Sequence, residues 1–119
     1  MAELHDSLVR SFRKRTLRHG FKDGRCGMPT YRPDVFLEKL GRNGLPTRQI
    51  AVEAEIQSTL FSEHTANQLL LLDEFIRLQD AKNIRVRGYL LVPAGKALRS
   101  QAASLLEALF PHGTKIQVA

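Results

Sequence analysis

Polar and apolar positions alternate most regularly near the middle of the chain. Glu53, Glu55 and Gln57 fall on one parity, and Val52, Ala54 and Ile56 on the other. Side chains of a strand point to alternate faces, so this pattern predicts a strand over about 48–57 with its three polar residues on one side. The stretch 31–39, separated from it by the turn-rich GRNGLPTR, reads as the partner strand of a hairpin. Folding about Asn43–Leu45 pairs positions whose numbers sum to roughly 87–89, which sets Asp34 across from residues 53 to 55. Pro33 lacks an N–H, so the first strand begins at an edge or a bulge.

Helical spacing accounts for most of the rest. Leu4, Leu8, Val9 and Phe12 make one stripe over 3–18, with Gly20 placed to end that helix. A second helix runs from an N-cap at Ser62 to about 81, its inner face built on Leu69, Leu72, Phe75, Ile76 and Gln79 and widened by Leu70 and Leu71. A third covers 94–110. IRVRGYLLV at 84–92 reads as a strand covered on both faces, a short strand is expected near Phe21, and TKIQVA closes the chain as another. The strand–helix–strand passage over 48–92 predicts a right-handed parallel crossover. The expected fold class is therefore α/β: one domain over 1–119, with a mixed sheet of an antiparallel hairpin plus parallel strands, and helices on both faces.

Charge and composition narrow the setting. The net charge is +6, and residues 1–32 alone carry eight Lys/Arg against three acids. That imbalance suggests a surface facing a polyanion, with Arg10, Arg13, Lys14, Arg18 and Arg32 as its candidates. No apolar run approaches the ~20 residues that span a bilayer, so no membrane partner is expected. The N-terminus has no signal-peptide block, and Cys26 is the only cysteine, which fits a cytoplasmic protein. Gly-rich phosphate loops, Cys/His zinc spacings and Ser-His-Asp patterns are absent from the sequence.

The hairpin carries the chemistry. Asp34 and the glutamates of the return strand gather at one end of the sheet, a cluster that is costly unless a cation or a proton neutralises it. A solvated strand with polar alternation would also place Glu53, Glu55 and Gln57 together. Surface strands, however, seldom set acids opposite another acid, because like charges across a pair repel. The cluster is the seed of a divalent-metal site.

Pro33-Asp34 in one hairpin strand and Glu55-Ile56-Gln57 ending the next, followed by a helix and a strand, resembles the PD-(D/E)xK nuclease superfamily, the restriction-endonuclease-like fold. AEIQST is similar to branches, such as competence-associated nuclease domains, in which Gln replaces the family lysine. Glu53-Ala54-Glu55 offers a second alignment, like enzymes with a Glu-x-Glu version. The resemblance covers nearly the whole chain as an αβββαβ core with an extra helix before the last strand. It implies hydrolysis of phosphodiester bonds, usually in DNA and less often in RNA, with Mg²⁺ or Mn²⁺.

In that scheme Asp34 and Glu55 are the carboxylate ligands, with the Ile56 carbonyl as a further oxygen. Glu53 is a third ligand or the base, and Gln57 holds the lysine's place. An amide orients but carries no charge, so either another cation such as Lys39 or Arg32 serves, or the site is slow, or it is inactive. Related enzymes often place a further acid on the first helix, where Glu3, His5 and Asp6 lie. His64 reads as a surface residue at a helix start. A homodimer or a larger protein partner is expected by analogy with relatives that cut two strands. The alternative function is a catalytically inactive nucleic-acid-binding or assembly module on the same fold.

Overall fold

The structure, a computed structural model, describes residues 2–119. Its elements follow the order α1 (Ala2–Leu17), β1 (Lys22–Asp23), β2 (Val35–Leu40), β3 (Pro46–Ala54), α2 (Glu63–Asp80), β4 (Arg85–Leu91), α3 (Lys96–Leu109) and β5 (Gln117–Val118). The five strands lie side by side in sequence order. β1–β2 and β2–β3 are antiparallel, while β3–β4 and β4–β5 are parallel. This is the mixed α/β architecture expected from the pattern.

The hairpin register follows the alternation. Val35 pairs with Val52, Phe36 with Ala51 and Lys39 with Arg48, so partners sum to 87 until a bulge at Lys39/Leu40. The turn is closed by Gly44 N–H to the Gly41 carbonyl and Gly41 N–H to the Leu45 carbonyl, while the Asn43 side chain accepts from Leu45 N–H. Gly44 adopts φ +77°, a conformation that L side chains resist.

Two apolar layers hold the sheet. On one face Val35, Leu37, Ile50, Val52, Ala54 and Leu91 pack beneath Leu8, Val9, Phe12 and Leu17 of α1. On the other, Phe36, Ala51, Val86 and Leu90 meet Leu69, Leu72, Phe75 and Ile76 of α2 and Ala102, Leu105 and Leu106 of α3. Ser62 caps α2 as anticipated, its hydroxyl accepting from Thr65 N–H. Two leucines depart from the expected stripes: Leu4 is 49 % exposed and Leu70 46 %. Both sit at the margin of a helical stripe, where the arc of contact with the sheet has run out.

Gly88 sets the depth at which α2 docks. A Cβ there would lie 2.7 Å from Ile76 Cδ1 and 3.3 Å from Leu72 Cδ1. Gly88→Ala is therefore expected to destabilise the domain by about 1–3 kcal/mol, the usual cost of overpacking a filled core. A shift of the urea midpoint with unchanged m-value checks this.

Candidate functional site

β2 and β3 deliver their acids to one pocket as the register dictates. Asp34 N–H donates to the Val52 carbonyl at 2.9 Å, so the residue extends the ladder one step beyond β2 and stands opposite Glu53. Glu53 lies on the same side of β3 as Ala51, and Asp34 shares the parity of Phe36, so both acids belong to the α2 face. Beyond the strand end, Glu55 is pinned by its N–H to the Leu91 carbonyl at 2.9 Å. Asp34, Glu53 and Glu55 all line one pocket of about 730 Å³, together with His5, Arg32 and Thr65.

These acids are not equivalent. Asp34 Oδ2 accepts from Ala54 N–H at 2.8 Å and stands 3.5 Å from His5 Nε2. Both interactions use the same oxygen, which leaves Oδ1 to the pocket. Glu53 is 3 % exposed, and its Oε1 is buried with no hydrogen bond of regular geometry among the described residues; the Tyr31 hydroxyl, likewise buried and without such a bond, is near enough to stabilise the Glu53 charge in part. Burial pushes the Glu53 carboxyl up to about 8, the charge of Asp34 reinforces the push, hydrogen bonding to the Tyr31 hydroxyl opposes it, and the charge of Glu55 adds least. Glu53 therefore holds a proton at neutral pH. Burial pulls the His5 imidazole down, yet Asp6, Asp34 and Glu55 together outweigh it and raise its pKa. Its Nε2, 3.5 Å from Asp34 Oδ2, brings α1 to the carboxylates.

Several candidates stand elsewhere. β3 ends at Ala54, and the chain turns at once: the Thr59 hydroxyl accepts from Ile56 N–H, and Thr59 N–H and Leu60 N–H both donate to the Ile56 carbonyl. Gln57 is consequently exposed on that turn and does not line the pocket. The Ile56 carbonyl, which also accepts from the Thr59 hydroxyl at 3.2 Å, is spent on the turn and is not free for an ion. Lys39 lies at the far end of β2, its Nζ 4.7 Å from the centre of the Phe21 ring. Of the two cations named for the lysine's role, only Arg32 borders the pocket. Glu3 is exposed and takes no part, whereas His5 and Asp6 do.

Arg10, Arg13, Lys14 and Arg18 are exposed along α1 and just past its end, and Arg13 is already paired with Asp23. The pattern gave no warning of Thr59, Thr65 and Gln68, which line the pocket because the turn after Glu55 swings the start of α2 over it. The Thr65 hydroxyl donates to the Thr59 carbonyl at 2.8 Å and accepts from Ser62, which fixes that turn against the helix. His64, read as a surface residue, is exposed and borders the same pocket.

As they stand, no three His, Cys, Asp or Glu side chains among the described residues form a group that could hold a metal ion. The donor chemistry nonetheless suits a hard cation. Asp34 and Glu55 supply carboxylate oxygens to one pocket, and the Glu53 oxygen beside them lacks a hydrogen-bond partner among the described residues. Mg²⁺ binds through one or two protein carboxylates and keeps several waters, so a third protein ligand is not required. Among the described residues no helix is long and apolar enough to cross a membrane. Compared with protein-family models, curated proteins and solved structures, the chain matches none.

Proposed function

We propose that this domain is a metal-dependent nuclease of the PD-(D/E)xK type that hydrolyses phosphodiester bonds in DNA. One observation carries the reading: three carboxylates from adjacent segments line one pocket, and one of them is buried with an oxygen that nothing described satisfies. Buried acids of purely structural use are normally hydrogen-bonded, and an orphan calls for an explanation such as an ion or a catalytic role. The element order α1-β1-β2-β3-α2-β4, with α3 before β5, agrees with the core that the resemblance implies.

Asp34 and Glu55 would hold Mg²⁺ or Mn²⁺. Bound there, the ion supplies charge neutralisation for the phosphoryl oxygens and activation of water. The chain's own residues do the remainder. His5 positions Asp34 from α1, and Ala54 N–H fixes the same carboxylate from the backbone. Beside a bound cation Glu53 would release its proton to solvent, and its carboxylate could then accept one from water. Arg32 offers a guanidinium to a phosphate at the pocket rim.

The position of Gln57, outside the pocket, favours a second reading in which the fold binds nucleic acid without cutting it. Incubation with supercoiled plasmid separates the two. Nicking in Mg²⁺ or Mn²⁺ that EDTA stops supports the nuclease. Folded protein that binds DNA but leaves the plasmid intact in both metals supports the inactive module. If the domain cuts, Arg32→Ala is expected to lower the cleavage rate roughly 10²-fold, in line with removal of one charge stabiliser from a transition state. Gln57→Lys is expected to change it less than about twofold, since an ammonium on that turn is remote from the developing charge. Single-turnover cleavage rates check both.

A further inference from the structure

On the α1 face of the sheet lies a second groove, of about 610 Å³, that no motif announced. Its cations come from four elements: Arg15 of α1, Lys39 of β2, Arg48 of β3, and Arg85 and Arg87 of β4. Among the described residues no Asp or Glu side chain lines it. The strand register makes the arrangement unusual. Lys39 pairs with Arg48, and Arg48 pairs with Arg85, so three positive residues stand side by side across three strands. Like charges directly opposite one another destabilise a sheet. Arg87 continues the row two residues along β4, where it shares Arg85's face.

None of these five residues makes an ion pair with another described residue. Arg15 reaches only the Ser11 carbonyl, and Lys39 only the Phe21 ring. A sheet that tolerates such a row, with no Asp or Glu side chain lining the groove to offset it, is arranged for an anion from outside.

We propose that this groove binds the phosphate backbone of a single nucleic-acid strand. The cations form an extended row, as successive phosphates require, and not a closed cage for one ion. Four of the five are arginines, whose planar forks match phosphate oxygens. Half-buried Phe12, Phe21 and Tyr89 line the same groove and give bases apolar faces to lie against. The groove lies on the opposite face of β3 from Glu53, and Arg48 is five residues away along the strand, roughly 17 Å at about 3.3 Å per residue. The strand held there is thus a flanking segment and not the bond at the acid pocket. The inference rests on the nucleic-acid half of the proposed function and not on cleavage.

Fluorescence anisotropy with a labelled 20-nucleotide DNA strand in EDTA tests it, because no cutting is needed. The combined change Arg48→Ser, Arg85→Ser and Arg87→Ser is expected to weaken binding more than about 30-fold. It should also flatten the dependence of log K on log salt by about 2, at ~0.7 for each phosphate that the protein no longer neutralises. Arg10→Ser with Lys14→Ser and Arg18→Ser is expected to cost less than about fivefold, since charges spread on an open helix contribute less than a row with no acid to offset it. The groove variant should melt no lower than the parent, because it relieves repulsion between neighbouring strands. Should it fail to fold, Arg87→Ser alone, expected to cost about fivefold, takes its place, one neutralised phosphate being a modest share of the whole.

Affinity unchanged in the folded variants overturns the proposal, as does a parent protein that binds no strand. Displacement of the strand by millimolar inorganic phosphate overturns it in favour of a small-anion site. Equal competition by polyglutamate overturns it in favour of an acidic protein partner. Loss of binding in the groove variant of a protein that never nicks plasmid would uphold this inference while the nuclease reading fell.

Discussion

Glu53→Gln is expected to stabilise the metal-free protein at pH 8 and to weaken its response to divalent cations. The carboxyl titrates near 8 in the folded chain against an ordinary value of 4.5. Between those values the folded state binds more protons than the unfolded state, so stability falls as pH rises through that window. At 1.36 kcal/mol per pH unit the loss is on the order of 4 kcal/mol by pH 8. It is absent below pH 4.5, where both states carry the proton. Glutamine has no proton to lose, and its amide can donate to the Tyr31 hydroxyl, which now lacks a partner among the described residues.

The variant should therefore melt higher than the parent at pH 8, by on the order of 10 °C for a domain of this size. At pH 5 the two should be nearly equal. Mg²⁺ should raise the parent's melting temperature at pH 8 and raise the variant's by less, since the variant keeps the Asp34 and Glu55 carboxylates but has no Glu53 charge for the ion to favour. Thermal melts at pH 5 and pH 8, with and without 5–10 mM MgCl₂ (an excess on the order of that needed for weak carboxylate sites), decide the matter. A parent whose stability is flat between those pH values would mean that Glu53 ionises without cost, and the argument from its burial would collapse.

The hairpin was legible because a period of two leaves little freedom. Once Val52 and Ala54 are assigned to one face, Glu53 must take the other, and Asn43-Gly44 then fixes which residue of the first strand faces it. The end of β3 was not legible in the same way. Alternation continues on paper through Gln57, but Leu60 is fully buried and the Thr59 hydroxyl closes a turn on Ile56, which draws the chain off the sheet after Glu55. A side-chain hydrogen bond and one apolar anchor outweighed three residues of pattern, and Gln57 left the site with them.

The pocket's other walls, from His5 to Thr65, depend on how α1 and α2 dock, which no local spacing encodes. The basic row is the extreme case. Lys39, Arg48 and Arg85 are scattered along the sequence, and they become neighbours only when two antiparallel strands and a parallel one are aligned. Attention to the basic first third favoured α1, where Arg13 is already neutralised by Asp23. Arg10, Lys14 and Arg18 are also without an ion pair among the described residues, but they are spread along an open helix and just past its end. The row on the sheet sets its charges side by side.

Asp34→Asn is expected to lower cleavage by about 10³-fold or more while leaving the fold and nucleic-acid binding intact, as for loss of a group on which the charge of the reacting centre depends. The substitution is chosen for what it keeps. Asparagine presents an oxygen at the place of Oδ2, so the bond from Ala54 N–H that ties the start of β2 to the end of β3 can persist. It removes the negative charge that Asp34 brings to the pocket, and with it the attraction that holds His5 near its raised state. Alanine would remove both, and a loss of activity could then be blamed on a frayed hairpin.

The same change gives a second readout that does not depend on turnover. Without the Asp34 charge, the push on Glu53 weakens, so the Glu53 carboxyl should titrate lower and the fall in stability between pH 5 and pH 8 should shrink. Plasmid nicking and the pH dependence of the melting temperature must then move together. If nicking survives in Asp34→Asn while the pH dependence changes, Asp34 tunes its neighbour but holds no ion, and the role assigned to it passes to Glu55.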